Sequence, residues 1–347
     1  METIMAKWKV AVQIEKELQA QLKKDLPLFD DIEHLITQMR IACETIIFLD
    51  FEYATKEEVE HHLWDAHSYI NNRYRKMVNH YRTGDHKKHV VEKRKLEKRY
   101  ADFIKTSQFF YKGYIQRLAS HFSGMAGLRR IAHRLSLSTL AVDDRVKVSP
   151  EIEHLIELSC HSTLLRLGDL SRYRNELRTK DRSWEPALAY YQLAGDLYPD
   201  SGSAHNQMAV IALADGNHLD AVYHLYRALA VKEPHPLAKG NLEIEFKKIT
   251  TAWEKAGPNV KTDTEATLIL WFVRLHAKLY KGVEFSTHEE LEKEVLYRLT
   301  LLLKDQPFET TLEKFVIINI AAEYFAGERI KGKFEKVIAE RDTADIT

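Results

Sequence analysis

Between residues 187 and 228 the chain repeats itself. Ala187, Tyr191 and Ala194 recur 34 positions later as Ala221, Leu225 and Ala228, the tetratricopeptide period. Small residues at these offsets let two antiparallel helices approach closely, and a proline ends the second helix of each pair. Pro199 closes the first unit and Glu233-Pro234 closes the second, one residue late. Leu167 to Arg174 supplies the first helix of the first pair. Seven extra residues between Gly168 and Ala187, in the stretch 178–186, predict an extended loop inside that pair. Such stacked helix pairs impose an all-α centre and point to a recognition scaffold rather than a catalyst.

Composition extends the helical reading to the whole chain. Among 347 residues there are 13 glycines and 8 prolines, so helix breakers are sparse. The formal charge is zero, which excludes a global field drawing the protein to nucleic acid or membrane. Two cysteines, Cys43 and Cys160, are too few and too far apart for a metal knuckle or a disulfide framework. No apolar run of about 18 residues is present to span a bilayer, and the amino terminus lacks a charged-then-apolar leader. The expected setting is a reducing compartment, cytoplasmic and/or nuclear, with no membrane partner.

Apolar spacing predicts an amphipathic helix over about 3–25 and a second over 29–54. Thr55 and Glu58 have the spacing of a capping box that would start a third helix running to about Tyr81. Thr83-Gly84-Asp85 is a turn. A basic stretch follows and leads into a helix whose Phe103, Phe109, Phe110 and Tyr114 are expected to bury themselves in a bundle. Residues 136–150 read as a surface loop and 160–235 as the repeats. Further helices are predicted over 268–280, 288–303 and 312–325, followed by a frayed polar tail. The expected domains are 1–250 and a helical extension, 251–347.

The search for chemistry is largely negative. No phosphate loop, dinucleotide fingerprint, Cys-x-x-Cys or His-Glu-x-x-His is present, so no catalytic residue, metal or cofactor is expected. His61, His62 and Asp65 share part of a helix face and read as solvated polar residues; Asp143-Asp144 has no partner base. The run Lys87, Lys88, Lys93, Arg94, Lys95, Lys98 and Arg99 has two readings. It either contacts nucleic-acid phosphates beside stacking aromatics, or forms a solvated face relieved by Glu92, Glu97 and Asp102. Arg172 also has two. Its guanidinium can grip a phosphoryl group, with Tyr173 donating alongside, or it can pair locally with Asp169 and Glu176 at helical spacing.

Taken together, Leu167 to Asn175, Ala189-Tyr190-Tyr191, Asn206-Gln207-Met208-Ala209-Val210, His218-Leu219, Arg227 to Lys232 and Asn241-Leu242 resemble the ever-shorter-telomeres and SMG family. Asp50 to Ala54 and the Val59-Glu60…Leu63-Trp64 motif extend the likeness toward the amino terminus. The resemblance implies a 14-3-3-like helical domain merging into tetratricopeptide-type helices. It also implies a non-enzymatic adaptor of nonsense-mediated mRNA decay that binds phosphorylated Ser/Thr on a partner, chiefly the decay helicase. Arg172 and Tyr173 match the family's phosphate-binding Arg-Tyr pair, and Asn206 matches its backbone-holding asparagine. The family's second cation, five residues after the tryptophan, is Tyr69 here. Arg73 and Lys76, one and two turns on, are the expected replacements. The alternative implied is a telomerase-associated subunit binding single-stranded telomeric DNA or telomerase RNA. Pairing of the first helix with a second copy or a paralogue stays open.

Overall fold

A computed structural model describes residues 2–25, 27–83, 88–141, 145–178, 180–256, 264–281, 288–305 and 309–344. Among the described residues there is no strand, and two isolated bridges, Phe122 with Val146 and Ser201 with Glu233, tie loops together. The expected all-α class is what the chain adopts. It divides into two compact units, Met1–Tyr198 and Pro199–Thr347.

The first unit holds α1 (Glu2–Lys23), α2 (Phe29–Leu49), α3 (Phe51–Lys56), α4 (Val59–His80), α5 (Val90–His121), α6 (Ala126–Arg134), α7 (Pro150–Leu177) and α8 (Glu185–Leu197). Its start signals differ in part from expectation. Asp50 caps α3, accepting from the Tyr53 backbone N–H at 2.9 Å, as a short side chain before a helix is suited to do. Thr55 instead donates to the Phe51 carbonyl. Glu58 takes a left-handed φ of 53° that re-aims the chain into α4. Aromatic stacking binds α2, α4 and α5: the buried Tyr74 stacks on the half-buried Phe29 and on the buried Tyr100, each at 5.0 Å. Phe103 and Tyr114 are buried as expected, but Phe109 is 81% exposed, because the core-facing stripe of α5 runs through Tyr100, Phe103, Ser107, Tyr111 and Tyr114 and leaves 109 outside it.

Ser149 caps α7 and Pro150 opens it, where its missing N–H costs nothing. Helix α8 then packs on α7 at very short range. A Cβ on Gly168 would fall 2.2 Å from the Tyr191 ring, so this contact requires glycine. Residues 178 and 180–184 belong to the extended connection between them.

The second unit holds α9 (Ser203–Asp215), α10 (His218–Leu229), α11 (Ala238–Ala256), α12 (Thr264–Lys281), α13 (His288–Asp305) and α14 (Glu309–Ala344). Gly216, at φ 69°, ends α9, and Asn217 caps α10. All six residues of the 34-residue repeat are buried. The expected boundary near 250 does not hold. Leu225 and Tyr226 of α10 share one continuous core with Leu242 and Phe246 of α11, Phe272 of α12 and Phe315 of α14. The extension is therefore inseparable from the second repeat, and the division falls at 198/199. Helix α14 also runs well beyond Phe325, where a tail was expected. Gly84, Asp85, Lys87 and the Asp143-Asp144 pair lie outside the described residues.

Candidate functional site

The Arg172 neighbourhood is assembled by α4, α7 and α8. Tyr191 of α8, drawn onto α7 by the Gly168 contact, donates its hydroxyl to Asp169 at 2.7 Å. The same carboxylate oxygen accepts from Arg172 Nη2 at 2.9 Å. Arg172 is 14% exposed at its side chain, and its Nε is buried without a partner. Burial works against its charge, but Asp169 and the Tyr191 and Tyr173 hydroxyls outweigh burial and hold its pKa above the ordinary arginine value. Burial and then Asp169 raise the Tyr191 pKa in turn.

The other end of the guanidinium is held loosely. Arg172 Nη1 reaches Glu176 Oε1 at 3.5 Å, the outer limit of a hydrogen bond. The second oxygen of Glu176 stands 3.4 Å from Nη2 of Arg75, which comes from α4. Both guanidinium groups also lie near the Tyr173 ring, at 4.7 Å for Arg172 and 5.4 Å for Arg75, within cation–π range. Two cations on separate helices thus share one half-exposed carboxylate. Lower on the same helices, Arg166 of α7 donates to Glu60 of α4 at 3.0 Å, so a second pair ties α4 to α7.

Of the two cations expected from α4, neither joins this cluster. Arg73 donates to the Lys24 and Asp25 carbonyls at 2.7 and 2.9 Å, satisfying the end of α1. Lys76 lines a cavity with Tyr69, Arg73 and residues of α1. The reason is helical phase. Tyr69, Asn72, Arg73 and Lys76 share the stripe facing α1, whereas Glu60, Asn71 and Arg75 lie on the stripe toward α5 and α7. Arg75 was therefore overlooked, although its spacing from Glu60 and Trp64 carried the signal. Asn206 belongs to the second unit, is 3% exposed, and accepts from the Asn241 amide at 3.2 Å. Its Oδ1 is thus engaged within the second unit.

The described part of the basic stretch is relieved by acidic partners at two positions. Lys93 pairs with Glu97 at 3.7 Å, and Arg99 pairs with Asp30 at 2.8 Å and lies over Phe29. Lys88, Arg94, Lys95 and Lys98 are exposed. His61 pairs with Asp65 and His62 with Glu15. Among the described residues no group of three or more His, Cys, Asp or Glu is placed to hold a metal. No described helix is long and apolar enough to cross a membrane.

A helical bundle grading into tetratricopeptide-type pairs defines the class: a 14-3-3-like helical fold, as in a solved structure of Est1 and Cdc13. That match has a TM-score of 0.70 at 13% identity and covers 92% of this chain and 64% of that one. Two family models match in tandem: telomerase activating protein Est1 over 58–178 and the Est1 DNA/RNA binding domain over 187–339. The chain belongs to the ever-shorter-telomeres and SMG family. A nonsense-mediated mRNA decay factor SMG7-like protein of Arabidopsis thaliana is 31% identical over 237 residues, covering 68% of this chain and 23% of that relative. The telomere elongation protein est1 of Schizosaccharomyces pombe is 30% identical over 178 residues, covering 48% of this chain and 36% of the relative. The chain thus spans about a quarter to a third of the length of these relatives.

Proposed function

We propose that the chain is a non-enzymatic adaptor that binds a phosphorylated serine or threonine segment of a partner, the decay helicase, in nonsense-mediated mRNA decay. The observation that carries this reading is the loosely held Glu176 between Arg172 and Arg75. A carboxylate with one negative charge and two oxygens occupies the position that a phosphoryl group would fill better. A phosphate monoester brings a charge of about −1.5 to −2 and three acceptor oxygens. It would take Arg172 Nη1 and Arg75 Nη2 together, while Asp169 keeps the far edge of Arg172 fixed. Tyr173 lies beneath both cations and adds its hydroxyl. The similarity to decay factors sets the biological context.

The test is a titration of matched phosphorylated and unphosphorylated helicase peptides into the full chain. Preferential binding of the phosphorylated form, lost in Arg75→Ala, is the expected result. Equal affinity for both forms overturns the reading.

A telomerase-associated role with single-stranded DNA or RNA is favoured by one observation, the match of 187–339 to an Est1 DNA/RNA binding domain. That region excludes the basic stretch 87–99 and instead contains the exposed Lys239, Lys247 and Lys248 of α11. Salt-sensitive oligonucleotide binding, weakened by charge reversal at Lys247 and Lys248, is its expected signature.

A further inference from the structure

Turning α7 by two residues from Arg172 brings a different cluster into view. A cavity of about 230 Å³ lies among α5, α7, Arg178 and Ser183 of the connection that follows α7, and the start of α8. Lys112, Arg174 and Arg178 line it, and no carboxylate does among the described residues. Among the described residues no ion pair engages Lys112 or Arg174; Arg178 donates one N–H to the Asp181 carbonyl. At the base is Asn175, 4% exposed. Its Oδ1 accepts from the Ser183 backbone N–H at 2.9 Å, which anchors the connection, while its Nδ2 is buried without a partner. Beside it, Gln108 donates to Ser171 at 2.9 Å, so these two side chains satisfy each other.

Three cations gathered without a counter-charge repel one another, and a buried amide donor left without an acceptor keeps its desolvation cost uncompensated. An oxyanion relieves both at once. We infer that this cavity is a second phosphoryl-binding site, distinct from the Arg172 cluster, that takes a phosphate monoester carried on a peptide. Size and charge select that ligand. The cavity admits one phosphoryl group with Tyr190 at its wall, whereas a nucleic-acid strand brings singly charged diesters spread along a track. The cavity also shares Gln108, Lys112 and Arg174 with a larger groove of about 950 Å³, where Phe109 and Ile41 are exposed. A peptide anchored by its phosphate thus finds apolar surface immediately beside it.

The experiment uses the full chain labelled with ¹⁵N-asparagine and follows the Asn175 side-chain amide on addition of inorganic phosphate, O-phosphoserine and a single-stranded oligonucleotide. Phosphate and phosphoserine should shift this resonance saturably. Arg174→Glu, at an exposed position, should weaken binding by roughly ten-fold, as expected for loss of a charge-assisted contact. Asn175→Asp keeps the acceptor for Ser183, removes the donor, and should abolish the effect as read by phosphate competition. Arg172→Gln should leave it unchanged, which separates this site from the one proposed above. Absence of a shift, indifference to Arg174→Glu, or oligonucleotide binding at the site as tight as that of phosphoserine would each overturn the inference.

Discussion

Arg172 and Arg174 are two residues apart on α7 and occupy opposite electrostatic surroundings. On the Arg172 flank, every guanidinium of the cluster touches a carboxylate: Asp169, Glu176, or both. On the Arg174 flank, Lys112, Arg174 and Arg178 gather around a cavity that no carboxylate lines among the described residues. Each cation of the first arrangement already faces a carboxylate, so a ligand there must displace something. The second is incomplete, so a ligand there adds a missing partner. What separates the two flanks is the spacing of acids on α7. Residues at i−3 and i+4 of Arg172 are Asp169 and Glu176, whereas those of Arg174 are Ser171 and Arg178.

The largest expected effect is on the closed flank. Asp169→Ala removes the acceptor of both Tyr191 and Arg172, leaving a largely buried charge with only the loosely held Glu176. Breaking a buried pair in this way costs about 3 kcal/mol. Arg174→Ala removes an exposed side chain without an ion-pair partner and should change stability by less than about 0.5 kcal/mol. Urea unfolding of both variants measures the contrast. Equal stabilities would mean that the two flanks are not as different as their pairing indicates.

Next in size is the separation of Arg75 from Arg73. Arg75→Ala should lower phosphopeptide affinity by roughly ten-fold, the worth of one charge-assisted contact. Arg73→Ala should leave affinity unchanged and destabilise the end of α1 by about 1 kcal/mol. Isothermal titration and denaturant melts read the two outcomes separately. Loss of affinity in Arg73→Ala would restore the arrangement expected from sequence spacing.

These residues also mark how far the sequence could be read. The 34-residue repeat identified both helix pairs, because close helix packing demands small residues at fixed offsets and leaves a periodic trace. Arg172, Asp169 and Glu176 were legible as neighbours because all three lie on one helix. Arg75 was not. Its role depends on which stripe of α4 faces α7, and that phase is set by packing against α1 and α5. The unit boundary escaped for a related reason. The core joining Tyr226 to Phe246 and Phe315 is built from contacts distant in sequence, and Pro199, where the second unit begins, reads in the sequence only as the end of a repeat. Phe109 shows the same limit at one residue, since hydrophobicity alone placed it inside.

A smaller effect bears on whether Glu176 holds a place for a ligand. Glu176→Gln keeps the shape but releases the charge shared by Arg172 and Arg75. An exposed pair of this kind is worth up to about 1 kcal/mol, so phosphopeptide affinity should rise by about five-fold at constant salt. A fall in affinity would instead make Glu176 an organiser of the two cations rather than their competitor.

The smallest change is expected with pH. A phosphoserine loses its second negative charge as pH falls through about 6, while Arg172, its pKa raised by Asp169 against the cost of burial, stays charged throughout. Lowering pH from 7 to 5 should therefore weaken phosphopeptide binding by about three-fold, through the ligand alone. Phosphodiesters do not titrate in this range, so oligonucleotide binding lacks that ligand-borne loss. Parallel titrations of the two ligands at both pH values distinguish a flank that closes on a dianion from one that only attracts negative charge.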